Sequence, residues 1–135
     1  MQAAARPYRL PAGTVVTLAF VDDAAMRTLN DRYRGKDRTT DVLSFGEAFT
    51  PDMRGAPAAA RLVPGADGTI ELGDVVISGR QASRQARRRR WPLAREVAFL
   101  AAHGTLHLLG FDDETPAGYG EMVALGRAAL LAARE

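Results

Sequence analysis

The stretch from Pro92 to Leu109 is the most apolar helical segment of the chain, and the only two histidines of the protein lie inside it. Val97, Leu100, Ala101 and Leu108 recur along it, so it has to be a central, largely buried helix. His103 and His107 are four residues apart. Side chains at that spacing share one helical face, one turn apart. The chain continues Leu108-Leu109-Gly110-Phe111-Asp112-Asp113. Gly110 can take the positive φ that a helix C-terminus needs, which allows a turn sharp enough to bring Asp112 or Asp113 back towards the rings. Neutral imidazole is the commonest metal ligand. His-x3-His-x5-Asp therefore reads as three ligands with one coordination position left for water, the layout of a catalytic metal. The plainer alternative is a pair of hydrogen-bonded core histidines.

A length of 135 residues predicts one domain over 1–135, with a core that needs no disulfide or structural metal. Hydrophobic residues at 47% and charged ones at 25% fit a soluble globular protein. The absence of cysteine excludes a disulfide framework, a thiolate metal site and a cysteine nucleophile. No apolar run approaches the ~20 residues that span a bilayer, and the first residues lack a hydrophobic signal core. The expectation is a cytoplasmic protein with no membrane partner. Net charge is only +2, but Arg80, Arg84, Arg87, Arg88, Arg89, Arg90 and Arg95 follow one another without an acidic residue between them. Cations suit a helix C-terminus, yet a run of adjacent arginines exceeds that need. An RNA or other phosphate-rich partner is the fuller explanation, with Arg84, Arg87 and Arg88 following its backbone.

Along the chain, Thr14–Phe20 reads as a strand, rich in β-branched residues. Asp22 or Asp23 caps a following helix that buries Met26, Leu29 and Tyr33 and ends at Gly35. Val42–Phe45 is a short strand. Residues 48–68, dense in Pro and Gly, form a loop from which no chemistry is expected. Thr69–Ser78 is a strand whose Gly73-Asp74 step marks a bulge or a close backbone approach. Gly79–Arg90 is a basic helix broken at Trp91-Pro92, and Thr115-Pro116 opens a last helix running to about Arg134. Strands separated by helices predict an α/β or α+β sheet with helices packed on it.

The segment Arg34-Gly35-Lys36-Asp37-Arg38-Thr39-Thr40-Asp41, leading into Val42-Leu43-Ser44-Phe45, offers Arg34 and Lys36 as cationic donors and the hydroxyls of Thr39, Thr40 and Ser44. Such a loop either holds phosphate oxygens, with arginine offering a planar fork, or is a capped turn whose Asp and Thr side chains satisfy their own backbone.

Three blocks together resemble the YbeY family of bacterial endoribonucleases. They are Asn30-x-x-Tyr33-Arg34-Gly35-Lys36-Asp37-x-x-Thr40-Asp41-Val42-Leu43-Ser44-Phe45, then Leu72-Gly73-Asp74-Val75-Val76-Ile77-Ser78, then His103-Gly-Thr-Leu-His107-Leu-Leu-Gly110-Phe-Asp112. The resemblance implies an α+β domain with a mixed sheet of about four strands and a central metal-binding helix. It implies a metal-dependent, single-strand-specific endoribonuclease of ribosomal RNA maturation, acting notably at the 3′ end of the small-subunit (16S) RNA, and of ribosome quality control. Its partners would be ribosomal RNA and the ribosome or small-subunit proteins. It implies zinc on His103, His107 and Asp113, with Asp113 where the family normally has a third histidine. It also implies a functional role for Arg34, so that Arg34 and His103 are the catalytic candidates; the donor-rich loop and the arginine run add Lys36, Arg84, Arg87 and Arg88 to Arg34 as candidate RNA contacts. Carboxylate oxygen ligates zinc well, though two histidines and a carboxylate also suit other divalent metals. No general base stands out, and the nucleophile is either water or the ribose 2′-hydroxyl.

Two rival readings remain. A zinc peptidase of the metzincin type shares the ligand spacing and a zincin-like fold, but it needs Glu directly after the first histidine, where this chain has Gly104. A non-catalytic ribosome-assembly factor would bind RNA and keep the metal for its fold.

Overall fold

β-Branched and apolar residues carry β1 (Thr14–Val21), β2 (Val42–Phe45) and β3 (Ile70–Ser78). The computed structural model describes residues 1–6, 10–46, 62 and 64–133. Its helices are α1 (Gln2–Ala5), α2 (Asp23–Arg34), α3 (Gly79–Arg89), α4 (Leu93–Leu108) and α5 (Pro116–Ala133). The sheet order is β1-β3-β2, with β1 parallel and β2 antiparallel to β3. The sheet is thus mixed, with three strands among the described residues rather than about four. Most of the expected 48–68 loop lies outside the described residues.

β3 is the central strand, and Leu72, Val75, Val76 and Ile77 are all buried in it. Its register against β1 slips between Val15 and Val16, which pair with Glu71 and Gly73. A Cβ on Gly73 would sit 2.3 Å from the Phe45 carbonyl oxygen. The Gly73 step is therefore both a bulge and a close backbone approach.

At the start of α2 the Asp22 carboxylate accepts from Ala25 N at 2.8 Å, and Gly35 ends the helix at φ 68°. Met26 is fully buried against Leu43 and Val76. Tyr33, expected on the same buried face, is instead 58% exposed and meets Phe45 edge-on at 5.0 Å. The polar loop beyond α2 is largely a capped turn. Asp37 takes Arg27 in a fork at 2.7 and 3.1 Å, Asn30 Nδ2 donates to Arg38 O, and Asp41 Oδ1 accepts Val42 N at 2.7 Å.

The helix carrying both histidines, α4, is buried at every residue from Leu100 to Leu106. It lies unusually close to the sheet. A Cβ on Gly104 would stand 2.6 Å from Val75 Cγ1 and 3.1 Å from Ser44 Oγ, and Ser44 Oγ donates to Gly104 O at 2.8 Å. At the other end of α4, Glu96 is fully buried and accepts from Trp91 Nε1 at 2.7 Å, Gln85 Nε2 at 2.8 Å and Arg89 Nη1 at 3.3 Å. A buried carboxylate survives only with such partners, and these tie α4 to the basic α3. Among the described residues no helix is long and apolar enough to cross a membrane.

Because the space for a side chain at 104 is already filled by strand residues, Gly104→Ala should destabilise the protein by about 1–3 kcal/mol, the usual cost of overpacking a tight core. Denaturant unfolding measures it, and an unchanged midpoint would show that the helix–sheet contact yields easily.

Candidate metal centre

The turn that ends α4 builds the site. Gly110 takes φ 94°, Phe111 N donates to Leu106 O at 3.1 Å and Gly110 N to His107 O at 3.0 Å. That pair of bonds is the Schellman closure of a helix C-terminus, and the burial of Phe111 anchors it. The reversed chain lays Asp113 against both rings. Asp113 Oδ2 stands 3.2 Å from His103 Nε2 and 3.3 Å from His107 Nε2. The three side chains can each offer one ligand atom, all within 4.8 Å of one another. Asp112 plays a different part: its Oδ1 accepts Glu114 N at 2.9 Å and shapes the turn.

Hydrogen bonding sets which nitrogen of His107 is free. Its Nδ1 lies 3.1 Å from Phe111 O. A carbonyl can only accept, so Nδ1 carries the proton and Nε2 presents a lone pair. In the neutral ring that lone pair faces a carboxylate oxygen at 3.3 Å, a repulsive meeting unless a proton or a cation lies between them. Burial, helped by the nearby His107, holds the His103 imidazole below its ordinary 6.5, against the pull of Asp113. Burial pushes the Asp113 carboxyl up, but His107 and His103 outweigh it and leave it below its ordinary value. A neutral His103 and an ionised Asp113 are the protonation states that ligation of a divalent cation requires of them. Side-chain exposure rises from 11% at His103 to 28% at His107 and 30% at Asp113, so one side of the centre stays open to solvent. The residues present fit a catalytic-type divalent ion.

Arg34, at the end of α2, lines a cavity of 230 Å³ together with His107, Asp113 and Ser44. The structure thus brings Arg34 to the triad across some seventy residues of sequence. Lys36 is exposed in the following loop and is not among the residues lining that cavity. Arg84 is held by Asp23 through a two-pronged contact at 2.8 and 2.9 Å, which keeps Asp23 at a pKa of about 2. Its charge is thereby engaged within the fold, a partnership hidden in the sequence because Asp23 lies on another helix. Arg87 and Arg88 are exposed in the last turn of α3.

Sequence reasoning passed over Asp41 and Glu96. Asp41 Oδ2 accepts Gln85 Nε2 at 3.3 Å, and the same amide reaches Glu96. Asp41 also favours the charged form of His103. An acidic residue in the first turn of an apolar helix was the available signal for Glu96; for Asp41 it was its position at the end of the polar loop, directly before β2.

The model of the family described as Endoribonuclease YbeY matches residues 1–133. The Endoribonuclease YbeY of Moorella thermoacetica is 49% identical over 131 residues, covering 96% of this chain and 80% of that protein. Its namesake in Acaryochloris marina is 42% identical over 109 residues, 81% of this chain and 58% of that protein. That of Geobacillus thermodenitrificans is 44% identical over 112 residues, 83% and 68% of the two chains. A solution structure of a Thermotoga maritima protein is similar in fold, with a TM-score of 0.54 at 20% identity over 98% of this chain and 78% of that one.

Since Asp113 faces both imidazoles and Asp112 caps the turn, Asp113→Ala should weaken divalent-metal binding far more than Asp112→Ala. His103→Ala and His107→Ala should each abolish stable binding, because two remaining ligands rarely hold an ion. Competition with a chelator measures all four, and metal loss in Asp112→Ala alone would identify the other carboxylate as ligand. The metal-free protein should also respond to pH. With His103 held below 6.5, the unfolded chain takes up the proton first, so melting temperature should fall as pH drops below that value; His103→Gln should flatten this dependence.

Proposed function

This chain belongs to the Endoribonuclease YbeY family, and from that membership we propose that it is a metal-dependent endoribonuclease that cuts single-stranded RNA. Its task in this proposal is ribosomal RNA maturation, including the 3′ end of 16S RNA, and ribosome biogenesis in the cytoplasm beside small-subunit proteins. The observation that carries the proposal is the meeting of Arg34 with His107 and Asp113 on one solvent-open cavity.

His103, His107 and Asp113 would hold one divalent ion, zinc in the first instance. Bound there, such an ion polarises a phosphoryl oxygen and makes water acidic enough to ionise near neutral pH. The Phe111 carbonyl keeps the His107 lone pair directed at that place. His103, the more buried ring, would hold the ion from the inner side of the site and so take part in catalysis through it. Arg34 presents a planar fork to two oxygens of the scissile phosphate and neutralises charge growing there as the bond breaks. Lys36, next in the loop, and Arg87 and Arg88 on α3 attract the RNA backbone through exposed positive charge; Arg84 adds to this field while held by Asp23.

A peptidase would need a carboxylate after the first histidine, and any side chain at 104 would collide with Val75 and Ser44 of the sheet. A non-catalytic assembly factor would bind RNA without cutting it. Removing the metal with a chelator separates these: loss of cleavage with retained fold and RNA affinity supports the nuclease, and melting of the fold supports a structural ion.

Arg34→Ala should lower kcat/KM on single-stranded RNA by about 10²–10³, as for a lost oxyanion donor, with metal content unchanged. Arg34→Lys should recover only part, because a point charge lacks the fork. Full activity in Arg34→Ala would remove the arginine from the chemistry.

A further inference from the structure

A second cavity, of 540 Å³, opens on the other side of the triad and shares His103 and Asp113 with it. Its walls carry the rings of Trp91, Phe99 and Tyr119 and the guanidinium groups of Arg89 and Arg127. The two arginines are not equivalent. Arg89 is turned inward, bonded to the buried Glu96 and lying 5.2 Å over the Trp91 ring. Arg127, on α5, forms no ion pair among the described residues. Tyr119 is 55% exposed and lines the same cavity, so its ring face is open to a ligand. Asp41 and Asp113 add two carboxylates to the same lining.

We infer that this cavity receives the nucleotide adjoining the scissile phosphate on the side away from Arg34, with its base stacked on Tyr119 and its outer phosphate on Arg127. The inference rests on the RNA-cleaving role proposed above. The charge pattern sets the orientation. Asp41 adds a carboxylate to the lining beside the ligand Asp113, a wall that suits the amino groups of a neutral base better than a second phosphate. The guanidinium of Arg127 suits the next phosphate along. Aromatic faces accept any base, since stacking needs only a π surface. A volume of 540 Å³ lies within the common range of small-molecule sites, about 300–1,000 Å³. Arg34 and the triad would thus hold the reacting phosphate, and this cavity would hold the strand beside it. Bases locked in a duplex could not enter, which gives a physical basis for single-strand preference.

The test uses metal-loaded protein and short single-stranded RNA with an abasic residue placed on either side of the cut. Tyr119→Ala and Arg127→Ala should each raise KM by about tenfold, in the range of a lost base stack, with kcat and metal content close to wild type. Tyr119→Phe should keep the wild-type KM, because the ring and not the hydroxyl is used. An abasic residue on one side should raise KM for the wild type and add nothing further in Tyr119→Ala. If that abasic penalty persists undiminished in Tyr119→Ala while RNA is still cut, the subsite is wrong and the nuclease function stands. Trp91, the only tryptophan, gives an independent readout from inside the cavity. RNA that is bound but never cut, with Trp91 emission changing in a Tyr119-dependent way, would support the subsite and overturn the nuclease function. Emission unmoved by RNA, together with an unchanged KM in both variants, overturns the subsite.

Discussion

Everything at the candidate centre depends on how closely α4 lies on the sheet. With no side chain at Gly104, the helix backbone comes down onto Val75 and within hydrogen-bonding reach of Ser44. Leu108 is seated by the same economy of space, because a Cβ on Gly73 would stand 2.7 Å from its Cδ2. A helix pressed down in this way cannot rotate without lifting off the core, and its angular position decides where His103 and His107 point. Burial of nearly every residue from Leu100 onwards reinforces the same orientation, since interiors are packed at crystal-like density. The histidines are therefore aimed by contacts on an adjoining face of their own helix.

The basic helix α3 is joined to this unit by polar contacts. Glu96 draws Trp91, Gln85 and Arg89 into one buried cluster, and Gln85 passes the connection on to Asp41 beside β2. Asp23 holds Arg84 and also accepts Ser78 Oγ, the cap of α3, at 2.9 Å. Part of the arginine-rich stretch is thus fixed to the fold, and part faces solvent. Repulsion within the stretch is offset where a carboxylate arrives from elsewhere in the chain; at Arg87 and Arg88 the charge remains available to an anionic partner.

The centre itself combines opposing effects. Burial favours neutral histidines, and the carboxylate favours charged ones; at His103 burial prevails, leaving a ring able to ligate. The Phe111 carbonyl settles the tautomer of His107 as a consequence of the same turn that delivers Asp113. Helix termination, tautomer choice and ligand placement are one local event. Cavities on both sides of the triad then give it two distinct surroundings, one containing Arg34 and the other lined by rings and Arg127.

Much of this was legible in the residues alone. Periodicity located the strands and the long helices, and the i,i+4 histidines followed by Gly110 foretold a turn returning a carboxylate. These features are short-range: backbone geometry and helical pitch relate residues a few positions apart whatever surrounds them. The placement of Arg34 beside His107, the burial of Glu96, the engagement of Arg84 by Asp23 and the exposure of Tyr33 could not be read in the same way. Each depends on which residue of a distant element arrives alongside, and that is decided by how the helices pack on a sheet with a very short β2. The sequence by itself determined the ligand types and their local spacing. Only the tertiary structure decided their neighbours, because charge pairing, burial and cavity shape are properties of contacts between elements and leave no periodic trace along the chain.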